Sequence, residues 1–154
     1  MDLWPEDIGY SDMKSPLTIL KEQASILGSK TKNLVNAEVR IADIMDIKLQ
    51  NLNVKHSVED NTKYDFSYNF YITAPALNNY RYRLFTIFFD IGLYPVNFML
   101  DGEIQKQICP LKKPTKANSE SEFMQILGHI FNSDRTRTII SSLISQSGGF
   151  DNEK

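Results

Sequence analysis

Several devices that announce a function in other sequences are scarce or missing here. The only cysteine, Cys109, cannot close an intramolecular disulfide, and the start Met1-Asp2-Leu3-Trp4-Pro5-Glu6-Asp7 lacks the basic head and apolar centre of a signal peptide. Both point to a cytoplasmic protein. His56 and His129 are the only histidines, so no Cys-x-x-Cys or His-x-x-x-His pair exists to hold zinc. The most apolar stretch, Leu84 to Leu100, is interrupted by Asp90, Gly92, Pro95 and Asn97. It falls short of the roughly 18 to 20 unbroken residues of a spanning helix, so no membrane partner is expected. An excess of positive charge is lacking too: 17 basic against 19 acidic residues leave −2, which gives no net field to gather nucleic acid. Gly-x-x-x-x-Gly-Lys, Gly-x-Gly-x-x-Gly and Gly-x-Ser-x-Gly are all absent. Neither a phosphate-cradling loop nor a serine elbow has support, and the expectation is a chain with no cofactor that is not an enzyme.

What is present is an ordinary globular mixture, 42% hydrophobic and 23% charged, which argues for one compact domain. A chain of this length buries roughly 70% of its unfolded surface and needs no metal or disulfide to hold a core. The unusual component is aromatic. Seven tyrosines and nine phenylalanines accompany a single tryptophan, and ten of these rings fall between Tyr64 and Phe89.

Residues 1–14 read as a polar arm, 15–149 as the domain and 150–154 as a short polar tail. Ser15-Pro16 supplies an N-cap and a first-turn proline for a helix carrying Leu17, Leu20, Ala24 and Leu27 on one stripe, closed by Gly28. From Ala37 the period becomes two, with Val39, Ile41, Met45, Ile47 and Leu49 in phase. After Gln50 the phase flips to Leu52, Val54, His56 and Val58, which reads as a bulge or a break between strands. Tyr64, Phe66, Tyr68, Phe70 and Ile72 alternate with polar residues as a clean strand. In Tyr80 to Phe89 the pattern predicts Tyr80, Tyr82, Leu84 and Phe88 on one face and Phe85, Ile87 and Phe89 on the other, a strand covered on both sides. Leu93 to Leu100 forms a further strand, and Asp101-Gly102 reads as a hairpin turn into Glu103 to Ile108. Cys109 to Asn118, with Pro110, Pro114 and lysines, reads as an exposed linker. Ser119-x-x-Glu122 is a capping box before Phe123, Ile126, Leu127, Ile130 and Phe131, and Asn132-Ser133-Asp134 caps a last helix bearing Ile139, Ile140, Leu143 and Ile144, stopped by Gly148-Gly149.

Reactive constellations are weakly supported. Cys109 with His56 or His129 would need to meet in space to make a nucleophile and base, and each has a plainer structural role available. Asp43, Asp46, Asp90 and Asp101 could surround a hard cation only if strand ends converged. Tyr80-Arg81-Tyr82-Arg83 interleaves rings and guanidinium groups as a single-strand nucleic-acid platform would, but strand alternation puts rings and charges on opposite faces. The two-faced aromatic strand carries more weight. Three helices can cover one face of the sheet, and a second face lined by Phe and Tyr would meet a partner or a second copy.

The strand block Ala37 to Ile108, followed by a last helix running from Ile130-Phe131 to Ser147-Gly148-Gly149-Phe150, resembles the bacterial export chaperone SecB and the SecB-like chaperones of toxin–antitoxin systems. The N-terminal helix is additional to the export chaperone. The resemblance implies an oligomer that holds unfolded polypeptide on aromatic surface without ATP. The expectation is therefore an α+β protein, an antiparallel sheet of four to five strands with one N-terminal and two C-terminal helices packed on it. Its expected work is non-enzymatic binding of a polypeptide client through Tyr64, Phe66, Tyr68, Phe70, Tyr80 and Tyr82, as a homo-oligomer. The alternatives are a small antitoxin, immunity or phage-related protein that blocks one specific partner, and a nucleic-acid or small-ligand binder.

Overall fold

The computed structural model describes residues 1–9, 11–42, 64–108 and 115–148. Helix α1 spans Pro16–Lys30. It begins where Ser15 Oγ accepts the Thr18 N–H at 3.1 Å. It ends at Thr31, whose backbone N–H and hydroxyl both reach the Leu27 carbonyl. Gly28 does not stop the helix. Its role is a close approach, since a Cβ there would come 2.7 Å from Asn36 Oδ1. Lys32 and Asn33, at φ 52° and 64°, then turn the chain into strand β1 (Asn36–Ile41). The expected continuation of that strand beyond Ala42, its phase flip and His56 lie outside the described residues, as do Cys109 and the tail.

Strands β2 (Phe66–Ala74) and β3 (Tyr80–Phe89) are joined by a 3-10 turn at Pro75–Leu77 and by Asn78 and Asn79 in the left-handed region. Strand β4 (Val96–Leu100) is followed by helix α2 (Gly102–Ile108), strand β5 (Thr115–Ala117), helix α3 (Glu120–Phe131) and helix α4 (Asp134–Gly148). The sheet runs in the order β1-β2-β3-β4-β5, each strand antiparallel to its neighbour. The fold is thus α+β, a five-stranded antiparallel sheet with the N-terminal helix and the C-terminal helices packed against it.

Three expectations are corrected. Asp101-Gly102 opens a helix instead of a hairpin. Asp101 Oδ1 accepts the Glu103 N–H at 2.8 Å and its carbonyl accepts the Gln105 N–H, so the aspartate is a helix cap. The supposed linker contains β5, with Thr115 and Ala117 buried against β4. In β3, the register passes from Phe70↔Phe85 to Tyr71↔Arg83, leaving Leu84 as an extra residue. That bulge moves Tyr82 onto the same face as Phe85, Ile87 and Phe89, because an inserted residue reverses the alternation beyond it. Leu84 through Phe89 are all buried, so this half of the strand is indeed covered on both faces.

One core holds the molecule together. Ile19 and Leu20 of α1, Ile104 of α2, Phe123, Leu127 and Ile130 of α3, and Ile139 and Leu143 of α4 meet the sheet face made by Phe70, Ile72, Phe85, Ile87, Val96 and Phe98. Phe70 and Phe85, direct cross-strand partners, stack with centroids 5.0 Å apart. From them a run of rings continues through Phe98 (5.7 Å) and Phe123 (5.5 Å) to Tyr94 (6.3 Å). The opposite face carries a second, small cluster of Ala42 and Phe88 with Tyr64 and Met99. Beside it Asn69 and Thr86 are buried and hydrogen-bonded to each other.

Candidate functional site

An apolar concavity lies on the helical side of the sheet. Helix α1 contributes Ile19, Gln23, Ile26, Leu27 and Lys30, a three- and four-residue spacing that sets them on one stripe. Helix α3 faces it with Met124, Leu127, Gly128 and Phe131 at the same spacing, and α4 closes one end with Thr136 and Ile140. Phe70 and Ile72 of β2 form the floor of a groove of about 380 Å³. Gly128 keeps the α3 wall open, since a Cβ there would meet no atom within 4 Å. At the rim Ile26 and Met124 are 44% and 51% exposed. Lys30 is the groove's sole charged lining residue among the described residues. Such a site can take apolar side chains and offers little to orient a polar substrate.

The six sheet residues expected to meet a partner are dispersed. Phe70, 2% exposed, touches the groove from below and packs against Phe131 at its wall, with ring centroids 5.5 Å apart and the rings tilted. Phe66 and Tyr68 are half-buried against Phe89, at 5.4 and 5.9 Å. Tyr64 lies on the other face beside Phe88, 5.8 Å away. Tyr80 is exposed. Tyr82 is committed to a polar cluster. Its hydroxyl donates to Asp101 Oδ2 and accepts from Arg135 Nη2 at 3.1 Å, while the guanidinium lies 5.6 Å from its ring centre. Arg135 Nε is 3.6 Å from Asp101 Oδ2, an ion pair that leaves this buried nitrogen without a hydrogen bond. Burial first, then the hydrogen bond with Asp101, push the Tyr82 pKa upward, against the opposing pull of Arg135. The cluster ties β3 to the starts of α2 and α4.

The remaining candidates separate as well. Asp90 and Asp65 exchange carboxylate contacts for each other's neighbouring backbone: Asp65 N–H donates to Asp90 Oδ1 at 3.0 Å and Ile91 N–H to Asp65 Oδ2 at 2.9 Å. Asp43 and Asp46 lie outside the described residues, and among the described residues no group of three or more His, Cys, Asp or Glu could hold a metal ion. His129 is exposed on α3. On the sheet face away from the helices, Arg81 covers the Tyr71 ring at 5.0 Å, so Tyr71 from the adjacent strand joins the arginines that alternation had separated from Tyr80 and Tyr82.

At the other end of α1 the arm is anchored through Lys14. Its N–H donates to Glu120 Oε1 at 2.7 Å, its carbonyl accepts the Tyr94 hydroxyl at 3.0 Å, and its ammonium pairs with Glu22 at 3.1 Å. The groove itself was foreshadowed in the sequence only by what the core stripes left over. Ile19, Ile26 and Met124 are apolar residues on helices whose assigned stripes do not include them, a signal of a second apolar face.

Among the described residues no helix is long and apolar enough to cross a membrane. No family model, curated protein or solved structure matches the chain.

Proposed function

We propose that the protein is a non-enzymatic polypeptide-binding module, a holdase of the SecB-like kind that works without ATP in the cytoplasm. The observation that carries this reading is the apolar groove, with Phe70 and Ile72 below and exposed Ile26 and Met124 at its rim. Unfolded chains present isolated apolar side chains with no fixed geometry. A groove that offers aromatic and thioether surface and few directional polar groups suits such clients, because methionine and its neighbours repack around different shapes. One groove of this size takes a side chain or two, so several chains bind along one client, each through its own groove. The resemblance of the strand block and the last helix to SecB-like chaperones, noted from the sequence, points the same way. Of the sheet aromatics, Phe70 is the one that reaches this surface.

The test is suppression of aggregation when a chemically unfolded client is diluted into buffer without nucleotide. The native chain should keep the client in solution, and Met124→Glu should lose that effect while retaining its far-ultraviolet circular dichroism. No suppression at molar excess over the client sinks the reading. Recovery of one stoichiometric protein from the native host, in place of many clients, replaces it with the blocking of a single partner.

A further inference from the structure

The arm before α1 is the most apolar exposed segment of the described chain. Leu3 is 83%, Trp4 72% and Ile8 59% exposed, and none of them joins either core cluster. Exposed apolar side chains this close together mark an interaction surface more often than solvent-facing filler. The arm is locally organised. Trp4 N–H donates to Asp2 Oδ1 at 3.0 Å and Ile8 N–H to the Pro5 carbonyl at 3.3 Å, so the three side chains sit on a short structured turn and lose less freedom on docking.

We propose that this arm docks in the α1/α3/α4 groove of a second copy, and that two chains exchange arms to form a dimer. Three observations point to that occupant. The groove is lined by apolar residues of a kind that accept the Trp4 indole, and its exposed rim residues Ile26 and Met124 offer apolar contact to Leu3 and Ile8. The charges are complementary. Before Lys14 the arm carries Asp2, Glu6, Asp7 and Asp12 with no basic side chain, and the groove's one charged lining residue is Lys30. Lys14 is held through both its N–H and its carbonyl, by Glu120 and Tyr94, and beyond that anchor the arm of the same chain leaves the groove uncovered. In size the exchange is sufficient. A buried aromatic contributes roughly 150–250 Å² by itself, and with Leu3, Ile8 and the groove surfaces of two reciprocal arms the total comes to about 1,200 Å², the lower bound of a stable interface. Reciprocal exchange is closed, so it stops at two chains.

The proposal rests on the groove assigned above, and makes the arm a resident occupant that a client displaces. Trp4 is the only tryptophan, so its emission reports the arm alone. The full chain should show twice its 17.7 kDa mass by light scattering, with blue-shifted Trp4 emission that moves to the red on dilution as the mass halves. Trp4→Ala and Met124→Glu, at opposite sides of the contact and both exposed, should each weaken self-association by roughly tenfold or more, the scale of a truncated anchor, with unchanged far-ultraviolet circular dichroism. A monomer with fully exposed indole emission at high concentration overturns the proposal. So does a dimer that both variants leave intact, and so does blue-shifted emission in a monomer, which would place the arm in its own groove. Client holding separates this idea from the previous one. Trp4→Ala should be a monomer that still suppresses aggregation, whereas a Trp4→Ala monomer with no holding in either chain would retain the dimer and discard the holdase.

Discussion

Tyr94 sits where the arm, β4 and α3 come together, with its hydroxyl on the Lys14 carbonyl and its ring edge-on to Phe123. Burial first, and the carboxylate of Glu120 second, push its pKa up to about 12. The folded chain therefore holds this proton more tightly than the unfolded chain, where tyrosine ionises near about 10. The stabilisation is fully present below that unfolded value and is lost as pH rises through the folded one. A spectrophotometric titration should show tyrosines ionising late, and Tyr94→Phe should remove one tyrosine's worth of that late phase and flatten the alkaline fall in stability; a late phase of unchanged amplitude would assign it to other rings. Tyr82 shifts in the same direction for a related reason, with Asp101 adding to burial and Arg135 opposing it. Neither setting was visible in the sequence. Tyr82 and Arg135 are 53 positions apart, and alternation alone treated the tyrosine as one more apolar ring of the sheet.

The secondary elements were mostly legible because their local rules agree with their surroundings. Ser15-Pro16 and Ser119 behave as caps, and the apolar spacing of α3 gives its buried residues Phe123, Leu127 and Ile130. The capping box is offset by one residue. Ser119 Oγ accepts the Glu122 N–H at 3.2 Å, but Glu122 Oε1 returns to the N–H of Asn118, at 3.4 Å. Ser119→Ala should therefore cost about 1 kcal/mol in denaturant unfolding, with Glu122 unable to substitute for the lost acceptor. A change under a few tenths would show that α3 is held by packing alone. Asp101-Gly102 was misread because aspartate before glycine serves a hairpin and a helix start equally well. Leu100, Ile104 and Ile108 recur every four residues, while an alternating reading sets Lys106 among the apolar positions; tertiary burial of Ile104 decides for the helix. The three residues of β5 are too few to show a period, and the bulge at Leu84 has no composition of its own, so the facing of the β3 aromatics could not be read from alternation.

For the whole molecule the aromatic excess proved to be core material. Phe66, Tyr68, Phe70 and Tyr82 pack in the core under the helices, whereas Tyr64 lies on the opposite face and Tyr80 is exposed; among the described residues much of the open apolar surface lies on the arm and on the rims of α1 and α3. With one charged residue in the groove, client binding should change little as salt is raised, because apolar burial is not screened. Anisotropy of a labelled apolar peptide across a salt series checks this; a steep loss of binding would redirect attention to the sheet face bearing Arg40, Arg81 and Tyr71, where anionic polymers would be held. The order β1-β2-β3-β4-β5 has one more consequence. Every described strand pairs with its neighbours in the strand sequence, so the sheet can assemble in the order in which a ribosome delivers it. Of the helices that cover this face, α1 precedes the strands, but α3 and α4 come last. While it is being made, the chain thus displays a partly uncovered aromatic sheet, and for that interval it needs the kind of protection we propose it gives to others.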